Sequence, residues 1–239
     1  MVPRLTEIFH TFPLVIAHRG ASSSYIENTH KALSRALEVG ADMIEVDLRL
    51  TLDSIPVLFH DADTQRLSGE KRVISESTFD ELKKVPLGGS ERILTLEEGL
   101  DLLRGRIPLN VEIKCAGGGI ALAQFLREKG AGSKVIVSSF LREELEIFGK
   151  MEPYYPLSLL IRKPSLEDID SLPPGRYLSL NVNRRYLDRS RVEKADKRGI
   201  PIFAYTVNHL DPYLKLRDMG VSGFFTNIPQ EMVEWRGMS

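Results

Sequence analysis

At 239 residues, with 42% hydrophobic and 27% charged side chains, the chain can bury a substantial core, and one-domain barrels reach this length. A net charge of −1, from 32 basic and 33 acidic residues, argues against a general polyanion binder, so nucleic acid is not an expected partner. One cysteine excludes an internal disulfide, and no apolar run approaches the roughly 20 residues that span a bilayer.

The N-terminal stretch MVPRLTEIFHTFPLVIAHRG interrupts its apolar residues with Glu7, His10 and Pro13. It offers neither a continuous apolar region nor a small-residue cleavage site, so no signal peptide or stable membrane insertion is expected and the default location is cytoplasmic. Strand-like runs follow at 14–18, 42–48, 107–114, 134–139, 157–161, 177–182, 201–207 and 222–226. Between them lie helical patterns. Asn28 is placed to cap a helix over about 29–39 that Gly40 closes. Thr78 with Glu81, and Thr95 with Glu98, have capping-box spacing, and the patterns ending at Gly149, Gly199 and Gly220 stop on the residue best suited to a left-handed cap. Eight strands with mostly helical returns predict an α/β fold, a TIM (β/α)8 barrel, although the link from 161 to 177 is short for a helical return.

One segment breaks the alternation. MIEVDLRLTLDSIPVLFHDAD has no room for a helix between two strand-like runs, so it reads as a β-hairpin with Asp53-Ser54 as a two-residue turn. That register sets Leu52 beside Ile55 and brings Asp47 roughly opposite His60. Residues from about 61 to 94 then form a small insertion with a short helix over the barrel mouth, within a single domain spanning 1–239.

Period-two alternation gives the strands unusual faces. Ile44, Val46, Leu48 and Leu50 share one side of the second strand, while Glu45, Asp47, Arg49 and Thr51 share the other. In NVEIK, Val111 and Ile113 oppose Asn110, Glu112 and Lys114. A parallel barrel strand is usually apolar on both sides, and unpaired buried carboxylates are costly. The acids are therefore either neutralised in a salt-bridge layer by Arg49 and Lys114, or bound to a hard divalent cation: Mg²⁺, Ca²⁺ or Mn²⁺. The cation reading gains weight because His18, Arg19 and Lys114 fall at C-terminal strand ends, where barrel enzymes place their sites. Three carboxylates and one divalent cation leave −1, and Arg19 with Lys114 bring the sum to +1, which matches one phosphodiester anion. Two histidines can then divide the base and acid roles that phosphodiester cleavage needs.

As an ordered set, His18-Arg19-Gly20, Glu27-Asn28-Thr29, Gly40-Ala41-Asp42, Ile44-Glu45-Val46-Asp47, Thr51 with Asp53, His60-Asp61, Glu112-Ile113-Lys114 and Thr206-Val207-Asn208 resemble the glycerophosphodiester phosphodiesterase family over most of the chain. The resemblance implies a barrel of the phospholipase-C-like phosphodiesterase type that hydrolyses small-molecule glycerophosphodiesters to sn-glycerol 3-phosphate and an alcohol. It implies His18 and His60 as the acid–base pair, Glu45, Asp47 and Glu112 as ligands of one divalent cation, and Arg19 and Lys114 as phosphate-binding groups. Two other readings stand beside it: a lysophospholipase D-type enzyme on the same fold, and a non-catalytic barrel that binds phosphate esters. The family usually has Pro where Ile26 stands, Gly for Ser54, Trp for Tyr205 and Asp for Asn227. None of these changes removes an acid of the trio or a histidine of the pair; Tyr205 and Asn227, at strand ends, bear on substrate preference. His10, His30 and His209 read as surface or capping residues, Cys115 as packing, and Glu27 as a helix-dipole partner or an accessory to the site.

Overall fold

The structure is a computed structural model that describes residues 9–130 and 134–238. Eight parallel strands form a closed barrel: β1 (Leu14–His18), β2 (Met43–Leu50), β5 (Leu109–Ile113), β6 (Val135–Ser139), β7 (Leu157–Ile161), β8 (Ser179–Asn183), β9 (Ile202–Tyr205) and β10 (Gly223–Thr226). Closure comes from β1, which pairs with β2 on one side (His18 beside Glu45) and with β10 on the other (Leu14 beside Gly223). Two short antiparallel strands, β3 (Pro56–Leu58) and β4 (Leu94–Thr95), extend from β2 outside the barrel.

Helices return the chain between barrel strands: α1 (His30–Glu38), α4 (Leu96–Leu103), α5 (Gly118–Lys129), α6 (Arg142–Met151), α7 (Leu166–Ser171), α8 (Arg189–Lys197) and α9 (Leu210–Arg217), with α10 (Pro229–Gly237) after β10. The short 161–177 link holds α7, six residues opened by a Ser165/Asp168 capping box. The boxes at Thr78/Glu81 and Thr95/Glu98 form as expected. Two helix-end expectations fail. Thr29, not Asn28, occupies the cap of α1, because the Asn28 side chain is engaged by Asp47. Gly149 lies inside α6, where a Cβ would meet the ends of the Arg176 and Leu157 side chains at 2.4 and 2.7 Å, so the glycine serves close packing and α6 runs past it.

The core follows strand alternation. Val15, Ala17, Ile44, Val46, Leu48, Val111 and Ile113 face outward under the helices. Leu14, Ile16, Met43, Ile136, Phe203 and Phe225 face inward and are joined by Phe9 from the segment before β1. The same inward rows continue toward the C-terminal mouth as His18 after Ile16, and as Glu45 and Asp47 after Met43.

The hairpin differs from the expected one by one residue. Ser54 takes a left-handed conformation (φ 61°), so the loop holds three residues, closed by Ser54 N–H on the Thr51 carbonyl at 2.9 Å. Thr51 supports it by donating its hydroxyl to Asp53 at 2.6 Å and accepting the Ile55 N–H at 2.9 Å. Thr51 therefore pairs with Ile55, and Asp47 lies opposite Phe59, one residue short of His60. The segment between β3 and β4 contains α2 (Gln65–Ser68), a 3-10 turn (Ile74–Glu76) and α3 (Phe79–Leu82). It has its own apolar cluster of Val57, Phe59, Ile74, Leu82, Leu87 and Ile93, against which Ile26 packs from the loop after β1.

Candidate active site

Glu45 and Asp47 on β2 and Glu112 on β5 are held at one level by the pairing of Asp47 with Glu112. They are 1%, 0% and 7% exposed, and one carboxylate oxygen from each lies within 4.8 Å of the others. Two of their oxygens, Glu45 Oε1 and Asp47 Oδ1, are buried without a hydrogen-bond partner. Positive charge comes from Arg19, whose Nε lies 3.0 Å from Asp47, and from Lys114, whose Nζ lies 2.7 Å from Glu112 and 3.6 Å from Asp47. Arg49 does not take part in neutralising the trio, as the salt-bridge reading requires. Its guanidinium instead donates to the carbonyls of His60 at 2.9 Å and Lys114 at 3.4 Å, bracing the rim.

Three acids against two cations leave one uncompensated negative charge in a buried place. Burial, then the charges of Asp47 and Glu112, push the Glu45 carboxyl well above its ordinary range. Burial and Asp47 push Glu112 up to about 7. Asp47 goes the other way: burial raises it, but Arg19 and Lys114 together outweigh that and hold it low. Convergent carboxylates with unpartnered buried oxygens fit a hard divalent cation, and among the described residues the converging donors are all carboxylates.

The histidines come from two different elements. His18 ends β1 and donates Nδ1–H to Asn227 Oδ1 at 2.8 Å; its Nε2 lies 3.9 Å from Glu45. Burial, reinforced by Arg19, lowers His18 to about 4, with Asp47 and Asn227 opposing. His60 follows β3 and donates Nδ1–H to Asp61 at 2.6 Å. A carboxamide or carboxylate oxygen only accepts, so both rings carry a proton on Nδ1, which leaves Nε2 as the nitrogen not committed to these bonds. Both line a cavity of about 520 Å³ together with Arg19, Glu45, Glu112 and Lys114.

The loop after β1 is shaped for this arrangement. Arg19 and Asn28 both take left-handed conformations (φ 59° each), and at Gly20 a Cβ would lie 2.5 Å from the Ala32 backbone, so only glycine lets α1 pack there. Asn28 Nδ2–H donates to Asp47 at 2.9 Å. Glu27 accepts from Arg19 at 2.9 Å and from Arg66 at 2.6 Å, and Arg66 also reaches Asp61 at 2.6 Å. A chain of ion pairs thus runs Asp47–Arg19–Glu27–Arg66–Asp61 to His60, making Glu27 an accessory to the site. Sequence reasoning assigned no role to Asn28 beyond its cap, to Asp61 or to Arg66. The first two lay within motif pieces; Arg66, in the insertion, carried no signal. His10, His30 and His209 are exposed, and the half-buried Cys115 lies behind the barrel wall near Gly118 of α5.

Residues 18–231 match the model of the glycerophosphoryl diester phosphodiesterase family. The chain belongs to that family. It is accordingly a phosphoric diester hydrolase, with the barrel described above. A glycerophosphodiester phosphodiesterase of Caldanaerobacter subterraneus is 31% identical over 233 residues, covering 92% of this chain and 96% of the relative. Among solved structures, an Oleispira antarctica phosphodiesterase in complex with the product sn-glycerol-3-phosphate superposes with a TM-score of 0.84 at 28% identity, covering 94% of this chain and 96% of that one. A glycerophosphodiester phosphodiesterase from Thermotoga maritima superposes with a TM-score of 0.82 at 30% identity, covering 95% and 99%. Among the described residues, no helix is long and apolar enough to cross a membrane.

Proposed function

We propose that this enzyme hydrolyses glycerophosphodiesters to sn-glycerol 3-phosphate and an alcohol, that it depends on a divalent cation, and that His18 and His60 divide the acid–base work. One observation carries the reading: the three acids converge within 4.8 Å, and two of them, Glu45 and Glu112, line the same cavity as both histidines, Arg19 and Lys114. The Oleispira relative, with sn-glycerol-3-phosphate bound, supports the choice of product.

Glu45, Asp47 and Glu112 would hold the cation, which when bound supplies Lewis-acid polarisation of a phosphoryl oxygen. Arg19 and Lys114 flank the phosphate and offset its charge. His18 is kept neutral by burial and Arg19, so its Nε2 is suited to accept the proton of the nucleophile, either water attacking directly or a neighbouring glycerol hydroxyl whose cyclic phosphate water then opens. His60, with its Nδ1–H on the Asp61 carboxylate, is suited to carry a proton and give it to the departing alkoxide. Asn227 and Asp61 act through these rings by fixing tautomer and orientation.

The test is release of glycerol 3-phosphate from a panel of glycerophosphodiesters and lysolipids, with and without each of Mg²⁺, Ca²⁺ and Mn²⁺. His18→Ala and His60→Ala each lower turnover by at least about a hundredfold, the scale of a lost acid–base group. Full activity in either variant removes that residue from the mechanism. Faster turnover of lysolipids than of water-soluble diesters would replace the substrate class with the lysophospholipase D-type one.

A further inference from the structure

The cavity has two unlike walls. One, from the ends of β1, β2 and β5, carries the acid trio with Arg19 and Lys114 already ion-paired to it. The opposite wall comes from the ends of β6, β7, β8 and β9 and presents Ser138, Phe140, Arg162, Asn183 and Tyr205. Asn183 Oδ1 accepts the Arg185 N–H at 3.0 Å, while the wall's other polar side chains, those of Ser138, Arg162 and Tyr205, are unengaged. Arg162, exposed on the rim, has neither a hydrogen bond nor an ion pair among the described residues. The Ser138 and Tyr205 hydroxyl oxygens are buried without a partner. Ser138 is 0% exposed and lines the cavity, so its unpaired hydroxyl faces the space a ligand would fill. Burial and the Glu112 charge push the Tyr205 hydroxyl up while the Arg162 charge opposes them, so guanidinium and phenol share one electrostatic neighbourhood.

The described residues of this wall include no carboxylate among those lining the cavity. Its aromatic pair, Phe140 and Tyr205, meets edge to face at 5.8 Å, and an ammonium group could in principle rest on it. That place is already faced by positive charge: Lys114 Nζ lies 5.8 Å from the Phe140 ring centre, and Arg162 lines the same cavity. A second ammonium would be repelled by both charges. An anion would find a free guanidinium and two unsatisfied hydroxyls.

On the hydrolytic reading above, the phosphodiester is claimed by the first wall, and the alcohol portion extends to the second. We propose that the wall of Arg162, Tyr205 and Ser138 is a second subsite that selects glycerophosphodiesters whose alcohol bears a negative charge, such as a phosphorylated polyol, over those bearing an ammonium group. Arg162 supplies the charge discrimination, and the hydroxyls of Tyr205 and Ser138 donate to the anionic group or to the polyol beneath it.

The experiment compares three substrates that share glycerol and phosphate and differ in the charge of the alcohol: glycerophosphoinositol 4-phosphate, glycerophosphoglycerol and glycerophosphocholine. In the metal-loaded wild-type chain, kcat/KM falls in that order. Arg162→Glu reverses the sign of the wall and moves the ratio of the first to the last by at least about tenfold toward choline, with Arg162→Gln in between. Arg162 is exposed and unpaired, so neither substitution removes a folding contact. An unchanged ratio in Arg162→Glu overturns the subsite. An equal loss on all three substrates also overturns it, because the wall would then contact the shared glycerol. Dissociation constants of the same compounds, measured calorimetrically in a His60→Ala background with and without Arg162→Glu, give the ratio without turnover. Absence of turnover in the wild-type chain therefore sinks the hydrolytic reading, while these constants still decide the subsite.

Discussion

The floor and the mouth of the barrel are built from the same strands, two residues apart, and do opposite things. At the floor the inward positions are Leu14, Ile16, Met43, Phe203 and Phe225, packed among themselves and against Phe9. One step further along the same faces stand His18, Glu45 and Asp47. The floor contributes apolar burial, while the mouth concentrates buried like charge that the fold tolerates only through Arg19, Lys114 and Asn28. Stability and chemistry are therefore separated along the barrel axis, and substitutions at the two levels should leave different signatures.

The largest stability effect belongs to the floor. Phe203→Ala removes a ring that is 1% exposed and should lower unfolding free energy by about 3–5 kcal/mol in denaturant titrations, while the folded fraction keeps its turnover. A lost kcat per folded molecule would break the separation.

The mouth should show the reverse. Glu112 has its carboxyl raised from 4.5 to about 7, so ionised Glu112 opposes folding above pH 4.5, and the penalty grows until about pH 7. At pH 8, Glu112→Gln relieves that penalty, and the lost partner of Lys114 offsets part of the gain. The metal-free variant should melt about 2–4 °C higher than the wild type while losing activity. A lower melting temperature would mean that Glu112 is a net structural support.

The smallest effect concerns pH. Because metal-free Glu112 titrates at about 7, a bound cation must displace its proton below that value. Affinity for a divalent cation should fall by at least about tenfold per pH unit as pH drops below about 7, because Glu45, raised as well, can give up a second proton, with proton uptake by the buffer visible in calorimetry. A pH-independent affinity between about 5 and 7 would sharpen the picture by removing Glu112 from the ligand set.

Much of this was legible in the chain. Alternation in IEVDL and NVEI places the acids on one face whatever the tertiary context, and the spacing of strand-like runs is enough to predict the barrel. Parallel pairing then brings Asp47 beside Glu112, a register that no local pattern states. The hairpin departs by one residue from its sequence pattern because Ser54 enters a left-handed conformation more often taken by Gly, so the loop holds three residues rather than two. Asn28 was read as a helix cap because Asn favours that position, but its amide serves Asp47, 19 residues away. Arg66 and Arg162 were invisible for another reason. Arg66 sits on the one-turn helix α2 and Arg162 in the bend after β7, neither in a distinctive pattern, and each matters only through what the fold sets beside it: Glu27 and Asp61 for Arg66, and the cavity for Arg162.

The central claim, that Glu45, Asp47 and Glu112 form a cation site on which catalysis depends, is tested most directly by stripping the protein with a chelator and following glycerol 3-phosphate release as a divalent cation is returned. The account predicts that activity disappears on stripping and returns with added Mg²⁺, Ca²⁺ or Mn²⁺ in the wild type, but not in Asp47→Asn. Full activity in the thoroughly stripped protein would contradict it.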